Sequence, residues 1–461
     1  MQRFKTCRMS MAVISILMTL CSCGGGGGGG GGNPMTPAPT LYAVGGIVGG
    51  LNAGASVVLQ VNGGNATTVS ANGPFAFSTK LGSGSNYSVE VSVQPTGETC
   101  ATSGGAGTVG NARVTGVVIT CASARQHAFV ANFGTNDVSV YAIDASSGAL
   151  TEIVGSRFAA GTNPGAIAVD PSGRYAYVAN QGSNDISAYT IDPSTGALAP
   201  LAGRPFAAGT NPVSISIDPT GRFLYTSNQG SNNVSAYAIS SATGALTQIP
   251  GSPYTVGTNP SQVAVDPTGA FLYAVNLNSD TLSPFLIDAS SGALQAAPGG
   301  PIFGGSGVAA MAFTPSAAFA YTASPAVNAV FAGGRSPPTG NLSFIIGSPY
   351  ATGPSGLYPD NIVVDPTGRF LYTTNLSSNN VTGFQIDATT GALSAIPGTP
   401  FSTGLGPLRM AFEQSGKFAY VLDANASTIS VYAINATTGA LTLTGGLPNA
   451  TGSGPNDIAI R

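Results

Sequence analysis

The chain has 461 residues, of which only 7% are charged, and it contains 65 glycines, 32 prolines, one histidine and no tryptophan. The formal net charge of −3 provides no basic footprint for nucleic acid, and a single histidine nearly excludes His-based acid–base catalysis and His-rich metal sites. Because 43% of the residues are apolar and the glycines and prolines recur at periodic turns, the composition favours a folded, turn-rich all-β protein.

Residues 1–23 have the pattern of an export signal. Basic side chains within residues 3–8 precede an apolar run at residues 11–20, which is too short to span a bilayer. The run ends in a segment that resembles a bacterial lipoprotein signal, with Cys23 as the lipidated residue; ordinary signal cleavage is the alternative. Gly24 at the next position is typical of sorting to the outer membrane. We therefore expect an exported, cell-envelope protein held on a membrane by lipid on Cys23.

Residues 24–40 are a glycine run followed by a proline-rich stretch, which predicts a tether that is flexible and then stiffer. Residues 41–122 alternate apolar and polar side chains between turns, as expected for a small β-sandwich, and the pattern resembles immunoglobulin-like or prealbumin-like modules. Cys100 and Cys121 lie in this segment. In an exported domain they are most simply a disulfide, with a metal or redox pair as the alternative.

From residue 126 to residue 461 the sequence repeats. One aromatic position recurs at intervals of 48, 48, 48, 48, 51 and 48 residues, at Phe129, Tyr177, Tyr225, Tyr273, Tyr321, Tyr372 and Tyr420. About twenty residues after each aromatic comes a Gly-Ala-Leu triad or, at residues 340–342, Gly-Asn-Leu. A period of this length in a β-rich sequence indicates a propeller or a solenoid, because one repeat cannot bury its own apolar faces.

A single period, residues 212–254, contains four strand patterns separated by tight turns, which predicts one four-stranded propeller blade. The first repeat begins at its second strand, residues 127–130, whereas the chain ends on a lone inner-strand pattern at residues 456–460. We therefore expect a seven-bladed β-propeller in which the C-terminal strand completes the first blade and closes the ring.

The repeat also carries a family resemblance. Residues 177–180, Tyr-Val-Ala-Asn, follow an Asp-Pro-Ser-Gly turn at residues 170–173 and precede the triad at residues 196–198. This arrangement resembles the YVTN-type repeat and is similar to the seven-bladed lactonase-like propellers, which include bacterial 6-phosphogluconolactonases and fungal carboxymuconate cyclases. The resemblance covers residues 126–461. It implies a ligand site in the funnel at one face of the ring.

Candidate funnel residues follow the proline that opens each inner strand. In successive blades the second position after this proline slot is Ala166, Ser214, Gln262, Ala310, Asn361, Arg409 and Asp457. The polar residues concentrate in the last blades, and the candidate ligand-binding set is Gln262, Asp360, Asn361, Arg409, Asn456 and Asp457. Carboxylates beside an arginine could bind a polar ligand or polarise a carbonyl. The alternative is that these side chains only hydrate the channel or pair with one another.

Other conspicuous residues have structural interpretations. The repeated turn aspartates, such as Asp170 and Asp218, are expected to cap local backbone amides, and no metal site or cofactor is expected. His127 occupies an aromatic core position and is expected to pack there. The 51-residue interval arises from a longer loop at residues 351–359, which is either drift or an enlarged lip on the funnel.

Three functions remain open, and no catalytic residue is assigned. The leading hypothesis is a lipid-anchored binding or interaction module for an unknown protein, carbohydrate or small polar ligand. The second is a lactonase-like hydrolase with its site in the funnel, as the resemblance implies, and the third is a structural role in the cell envelope.

Overall fold

The computed structural model describes residues 40–51, 54–95, 98–123, 126–444 and 448–461. The predicted export signal, Cys23 and the tether up to residue 39 lie outside these residues. The chain divides into two compact units between Ala122 and Ser123. Within the described ranges no helix has the length and apolarity needed to cross a membrane.

The N-terminal unit is built from two four-stranded sheets, with strand orders β4-β1-β8-β6 and β3-β2-β5-β7. Its strands are β1 (Leu41–Gly49), β2 (Val57–Val61), β3 (Gly64–Val69), β4 (Gly73–Gly82), β5 (Asn86–Val93), β6 (Glu98–Ser103), β7 (Ala106–Thr108) and β8 (Val114–Ser123). Strands β1 and β8 pair in parallel, whereas β1–β4, β2–β3, β2–β5 and β5–β7 pair antiparallel.

Alternating side chains of both sheets form one buried cluster that includes Val48, Leu59 and Ile119. Cys100 on β6 and Cys121 on β8 are buried in the same cluster and are joined by a disulfide with an S–S distance of 2.01 Å. The bridge therefore links the N-terminal unit's last strand to its neighbour β6.

The second unit consists of seven five-stranded sheets, the blades of a propeller. Blade 1 contains β9 (His127–Asn132), β10 (Asp137–Ile143), β11 (Leu150–Glu152), β12 (Phe158–Ala159) and the last strand of the chain, β43 (Pro455–Ile460). Blade 2 contains β13 (Pro164–Val169), β14 (Tyr175–Asn180), β15 (Asp185–Ile191), β16 (Leu198–Pro200) and β17 (Phe206–Ala207). Blade 3 contains β18 (Pro212–Ile217), β19 (Phe223–Asn228), β20 (Asn233–Ile239), β21 (Leu246–Gln248) and β22 (Tyr254–Thr255).

The other four blades repeat this plan. Blade 4 contains β23 (Pro260–Val265), β24 (Phe271–Asn276), β25 (Thr281–Ile287), β26 (Leu294–Ala296) and β27 (Ile302–Phe303). Blade 5 contains β28 (Ala310–Phe313), β29 (Phe319–Ser324), β30 (Ala329–Arg335), β31 (Leu342–Phe344) and β32 (Tyr350–Ala351). Blade 6 contains β33 (Pro359–Val364), β34 (Phe370–Asn375), β35 (Asn380–Ile386), β36 (Leu393–Ala395) and β37 (Phe401–Ser402). Blade 7 contains β38 (Pro407–Phe412), β39 (Phe418–Asp423), β40 (Thr428–Ile434), β41 (Leu441–Leu443) and β42 (Asn449–Ala450).

The outer edge of each blade differs from the single fourth strand that the sequence predicts. In blade 3, β21 and β22 both pair with β20, at opposite ends of it. Prolines at 250 and 253 cannot donate to a ladder, so pairing stops between the two short strands. The Ser252 hydroxyl accepts the hydrogen bond from the Ala236 N–H there, at 2.9 Å, and replaces the missing backbone partner.

The two ends of the repeat region meet in blade 1. Strand β43 pairs antiparallel with β9, and Ile458 lies opposite Val130. The inner strand of blade 1 therefore comes from the end of the chain and the other strands from the start of the repeat region. The pairing supplies a partner for the edge of β9 that faces the axis.

Neighbouring blades are linked by the two sequence features that mark the period. The buried Tyr225 hydroxyl donates to the Gly292 carbonyl oxygen of the next blade at 2.9 Å, and five other repeat tyrosines make the corresponding bond. The glycine is needed on two counts. Gly292 has a φ of 72°, and a Cβ there would lie 2.3 Å from the Phe223 ring. Phe129 has no hydroxyl, so the seventh link is absent.

Candidate functional site

The seven inner strands surround a central cavity of about 470 Å³. Its wall includes the residues at the second position after the proline slot, one from each blade: Ala166, Ser214, Gln262, Ala310, Asn361, Arg409 and Asp457. An innermost strand has a neighbour on one edge only, so N–H groups on its other edge need partners of another kind. The polar residues in this series supply some of them.

Four of these side chains accept a hydrogen bond from the next inner strand around the ring. The Gln262 amide oxygen accepts from the Met311 N–H at 2.6 Å, and the Asn361 oxygen from the Met410 N–H at 3.4 Å. The Ser214 hydroxyl accepts from the Val263 N–H at 3.3 Å, and an Asp457 carboxylate oxygen from the Ile167 N–H at 2.9 Å. Gln262 and Asn361 therefore serve as links between blades as well as parts of the cavity wall.

Arg409 breaks this pattern because a guanidinium cannot accept a hydrogen bond. Its Nη1 donates to the Asp360 carboxylate at 3.0 Å and to the Leu408 carbonyl oxygen at 3.1 Å, while Nε lies 3.9 Å from Asp457 Oδ1. The Arg409 side chain is 26% exposed and the two carboxylate side chains are each 22% exposed. Blades 6, 7 and 1 thus place one cation between two anions, and Arg409 and Asp457 both lie on the cavity wall.

Asp457 differs electrostatically from an ordinary surface carboxylate. Burial raises its pKa above the usual value, while the Arg409 guanidinium and the N–H groups of Ile167 and Ile458 act in the opposite direction. The long Nε–Oδ1 separation keeps the compensation by Arg409 incomplete. Asp457 can therefore exchange a proton at a higher pH than a solvated aspartate.

The remaining two candidates lie beside the cavity wall. Asp360 holds the guanidinium of Arg409. The Asn456 side-chain amide donates to the Gly165 carbonyl oxygen at 3.0 Å, across the contact between blades 1 and 2. The structure thus brings Asp360, Arg409 and Asp457 together, links Gln262 and Asn361 to neighbouring strands, and gives Asn456 a backbone partner.

The candidate set from the sequence places Ser214 in the inner-strand series but includes neither Ser214 nor Ser216 as a ligand-binding residue. The Ser216 hydroxyl accepts from the Val265 N–H at 3.2 Å, one layer along the channel from the Ser214 bond. Donor and acceptor are 49 residues apart in both pairs, one repeat plus one residue. A search of the inner-strand positions for side-chain acceptors at that offset would have found them.

The turn aspartates have the local role that their sequence pattern indicates. Asp170 accepts hydrogen bonds from the N–H groups of Ser172, Arg174 and Tyr175. His127 is buried with its ring 6.3 Å from that of Phe129. Among the residues that the structure describes, no group of three or more His, Cys, Asp and Glu side chains could hold a metal ion.

Comparison with known proteins agrees with this architecture. The chain matches the lactonase, seven-bladed β-propeller family over residues 99–209, 202–299 and 260–454. No curated protein matches it significantly. Among solved structures it is similar to a periplasmic gluconolactonase from Pseudomonas aeruginosa, with a TM-score of 0.61, 21% identity, and coverage of 73% of this chain and 98% of that one.

A second solved structure, a 6-phosphogluconolactonase candidate from Bacteroides fragilis, has a TM-score of 0.64 and 20% identity over 73% of this chain and 98% of that chain. At these identities the structures show a shared fold. The matched segments extend over most of the repeat region, and the seven sheets are present. The chain therefore belongs to the lactonase family of seven-bladed β-propellers.

Proposed function

We propose that the central channel hydrolyses a lactone, with Arg409 and Asp457 as the catalytic residues. The observation that carries the proposal is the position of Arg409 on the cavity wall between Asp360 and Asp457. A guanidinium beside a carboxylate of raised pKa provides a hydrogen-bond donor for a carbonyl oxygen and a base within one cavity.

The reaction follows from these two groups. The Arg409 guanidinium donates to the lactone carbonyl oxygen and stabilises the negative charge that develops there. Asp457 takes a proton from water as the water oxygen bonds to the carbonyl carbon. The ring C–O bond then breaks, and the ring oxygen leaves as a hydroxyl after receiving that proton. Asp360 accepts a hydrogen bond from Arg409 and acts as a positioning residue.

Two further observations support a hydrolase over a pure interaction module. The chain belongs to the lactonase family, and one structural neighbour is a periplasmic gluconolactonase. The cavity volume of about 470 Å³ is within the range of small-molecule sites, whereas a protein-binding surface needs no enclosed cavity. Export and lipid attachment at Cys23 remain part of this proposal, since they place the activity in the cell envelope.

The proposal specifies a pH dependence. Asp457 must be ionised to accept a proton, and burial raises its pKa. The rate should therefore fall as the pH drops through this raised pKa, at a higher pH than for an exposed aspartate.

The test is hydrolysis of D-glucono-1,5-lactone by the full chain, corrected for the uncatalysed reaction. We expect Arg409→Ala to lower kcat/KM by about 100-fold or more, as for loss of an oxyanion donor. Asp457→Asn should lower kcat and remove the acid limb of the pH profile. Arg222→Ala is the matched control, because Arg222 contacts backbone carbonyls of the neighbouring blade away from the cavity. Wild-type rates no faster than the buffer, or unaffected by Arg409→Ala, would contradict the hydrolase.

A further inference from the structure

A strained tyrosine stands on the loop that leads into the inner strand of blade 6. Tyr358 has a φ of 62°, and the residue is 43% exposed. The residue before the inner strand is Asn163, Asn211 or Asn259 in three other blades and Gly307, Gly406 or Gly454 in the rest. Asparagine and glycine tolerate this backbone region, whereas a bulky side chain there costs about 1–2 kcal/mol.

The fold holds this residue in its strained conformation. The Tyr358 N–H donates to the Asn328 side-chain oxygen at 2.8 Å, and the Leu357 N–H donates to the Ser378 hydroxyl at 3.0 Å. The Asn380 side-chain amide donates to the Ser355 carbonyl oxygen at 2.7 Å. The three-residue extension is therefore fixed to blades 5 and 6, which favours an organised lip over sequence drift.

Side-chain contacts do not account for the strain. Arg157, also at positive φ, pairs with Glu152 at 3.3 Å and donates to the Thr451 carbonyl oxygen at 3.1 Å. Within the described part of the chain, the hydrogen bond of Tyr358 to Asn328 uses its backbone N–H, and its side chain makes no hydrogen bond and no ring contact. Backbone strain that is not offset by contacts within the folded protein is typical of residues that contact a ligand.

The place of Tyr358 connects it with the catalytic cluster. It lies two residues before Asp360, the partner of Arg409. A second exposed aromatic, Phe133, donates its N–H to the carbonyl oxygen of Gly454, three residues before Asp457. Aromatic rings thus occur in the loops next to both carboxylates.

Charge limits what can bind beside these rings. Arg409 is the only cationic residue on the wall of the described cavity, and it already faces two carboxylates. The cavity therefore offers no uncompensated positive charge for a phosphate or a free carboxylate. An uncharged ring bearing hydroxyls suits it better, because a sugar ring has an apolar face that packs on an aromatic one.

We infer that Tyr358 forms an aromatic subsite at the channel rim, on which the apolar face of an uncharged sugar-derived lactone stacks. The inference rests on the proposed hydrolase and adds a substrate-contacting residue to it. Arg409 holds the carbonyl, and Tyr358 holds the ring; Tyr358 is then a specificity-determining residue and takes no proton.

The experiment compares Tyr358→Asn, which introduces the residue of three other blades, with Tyr358→Phe, which keeps the ring. For D-glucono-1,5-lactone, Tyr358→Asn should raise KM by about tenfold with little change in kcat, and it should also raise the unfolding temperature because the strain is relieved. Tyr358→Phe should retain most of the wild-type affinity. Asn211→Gly, at the same loop position in blade 3, is the matched control with unaltered KM.

A second readout separates this inference from the hydrolase itself. Calorimetry with the unreactive D-glucono-1,5-lactam should give binding to wild type and about tenfold weaker binding to Tyr358→Asn. Lactam binding that depends on Tyr358 without any lactone turnover would support the subsite and contradict the hydrolase. Turnover with a KM unaffected by Tyr358→Asn would overturn the subsite alone. Failure of the lactam to bind, or a lower KM for the 6-phosphorylated lactone, would also overturn the inference.

Discussion

The last residue of the second strand in each blade is a repeated position at which one substitution introduces a buried ionisable group. In blade 2 the Asn180 amide donates to the Ser187 hydroxyl at 3.0 Å, and its oxygen accepts from the Gly161 N–H at 3.1 Å. Four other blades also have asparagine at this position, whereas blade 7 has Asp423, fully buried, with its carboxylate accepting from the Ser430 hydroxyl at 2.6 Å. Burial raises the pKa of Asp423 to about 6.

Asp423→Asn should therefore stabilise the protein at neutral pH. A raised pKa means that the folded state favours the protonated form, so stability is lost as the pH rises from about 4 to above 6. The shift of about two units corresponds to about 3 kcal/mol, which is the upper limit of the gain from the substitution at pH 7. Denaturant unfolding of both proteins between pH 4 and pH 7.5 measures it.

The difference between the two curves isolates Asp423 from the other titrating groups. We expect the wild type and the variant to converge near pH 4 and to separate as the pH rises. Parallel curves over the whole range would mean that Asp423 titrates normally and that its neighbours compensate for its burial.

At the scale of the blade, an arginine that several repeats have at one position is supplied to blade 4 by the neighbouring repeat. In blades 2, 3 and 6 the arginine after the Asp-Pro turn stacks over the next aromatic ring, at 5.1 Å for Arg174 on Tyr175 and 4.8 Å for Arg222 on Phe223. Blade 4 has Ala270 there. The guanidinium over Phe271 belongs to Arg335 of blade 5, at 5.3 Å, and it also lies 3.5 Å from the buried Asp266 carboxylate.

Arg335→Ile, which introduces the residue of the other repeats, should destabilise the protein by about 3 kcal/mol or more because Asp266 loses a buried cation. Ala270→Arg should recover part of that loss in the double variant, since it restores the arrangement of blades 2 and 3. Thermal unfolding of the two single variants and the double variant measures the coupling. If the stability changes of the two single variants simply add in the double variant, Ala270→Arg does not replace Arg335, and the interpretation is contradicted.

At the scale of the molecule, the sequence predicted the ring but not how its blades are joined. The interval between tyrosines such as Tyr177 and Tyr225 reveals the number of blades because each copy occupies the same core position. The hydrogen bond from Tyr225 to Gly292 joins two repeats and has no signature within one repeat. Likewise, the sequence identified Arg409 as a polar residue on an inner strand, whereas its distances to Asp360 and Asp457 depend on how three blades meet.

The strain at Tyr358 could not be predicted from sequence for a related reason. A tyrosine in a loop is unremarkable until its φ is known, and that angle is imposed by hydrogen bonds from residues of two blades. The available sequence signal was the departure of Tyr358 from the other repeats, which have asparagine or glycine at this position. Deviations between copies are thus more informative about function than the features that the copies share.

Ring closure makes the C-terminal strand a requirement for the whole propeller. Deletion of residues 455–461 removes β43, leaves the inner edge of β9 unpaired and exposes the cluster in which Ile458 packs against Val130 and Leu422. We expect the shortened chain to lose a single cooperative thermal transition and to aggregate, because an unpaired apolar edge templates association. Scanning calorimetry and light scattering would measure both effects.

A permuted chain provides the control. In this chain residues 455–460 precede His127, and the turn sequence of residues 170–174 joins them to it. The chain ends at residue 454. Every strand of the propeller is therefore retained, and blade 1 becomes continuous in sequence. Because Arg461 and His127 exchange backbone hydrogen bonds at 3.0 and 2.6 Å, the new turn spans a gap like that of blade 2. The permuted chain should fold and unfold at a lower temperature than wild type, since blades 7 and 1 are no longer tied by the chain. Equal unfolding temperatures would show that pairing alone stabilises the ring.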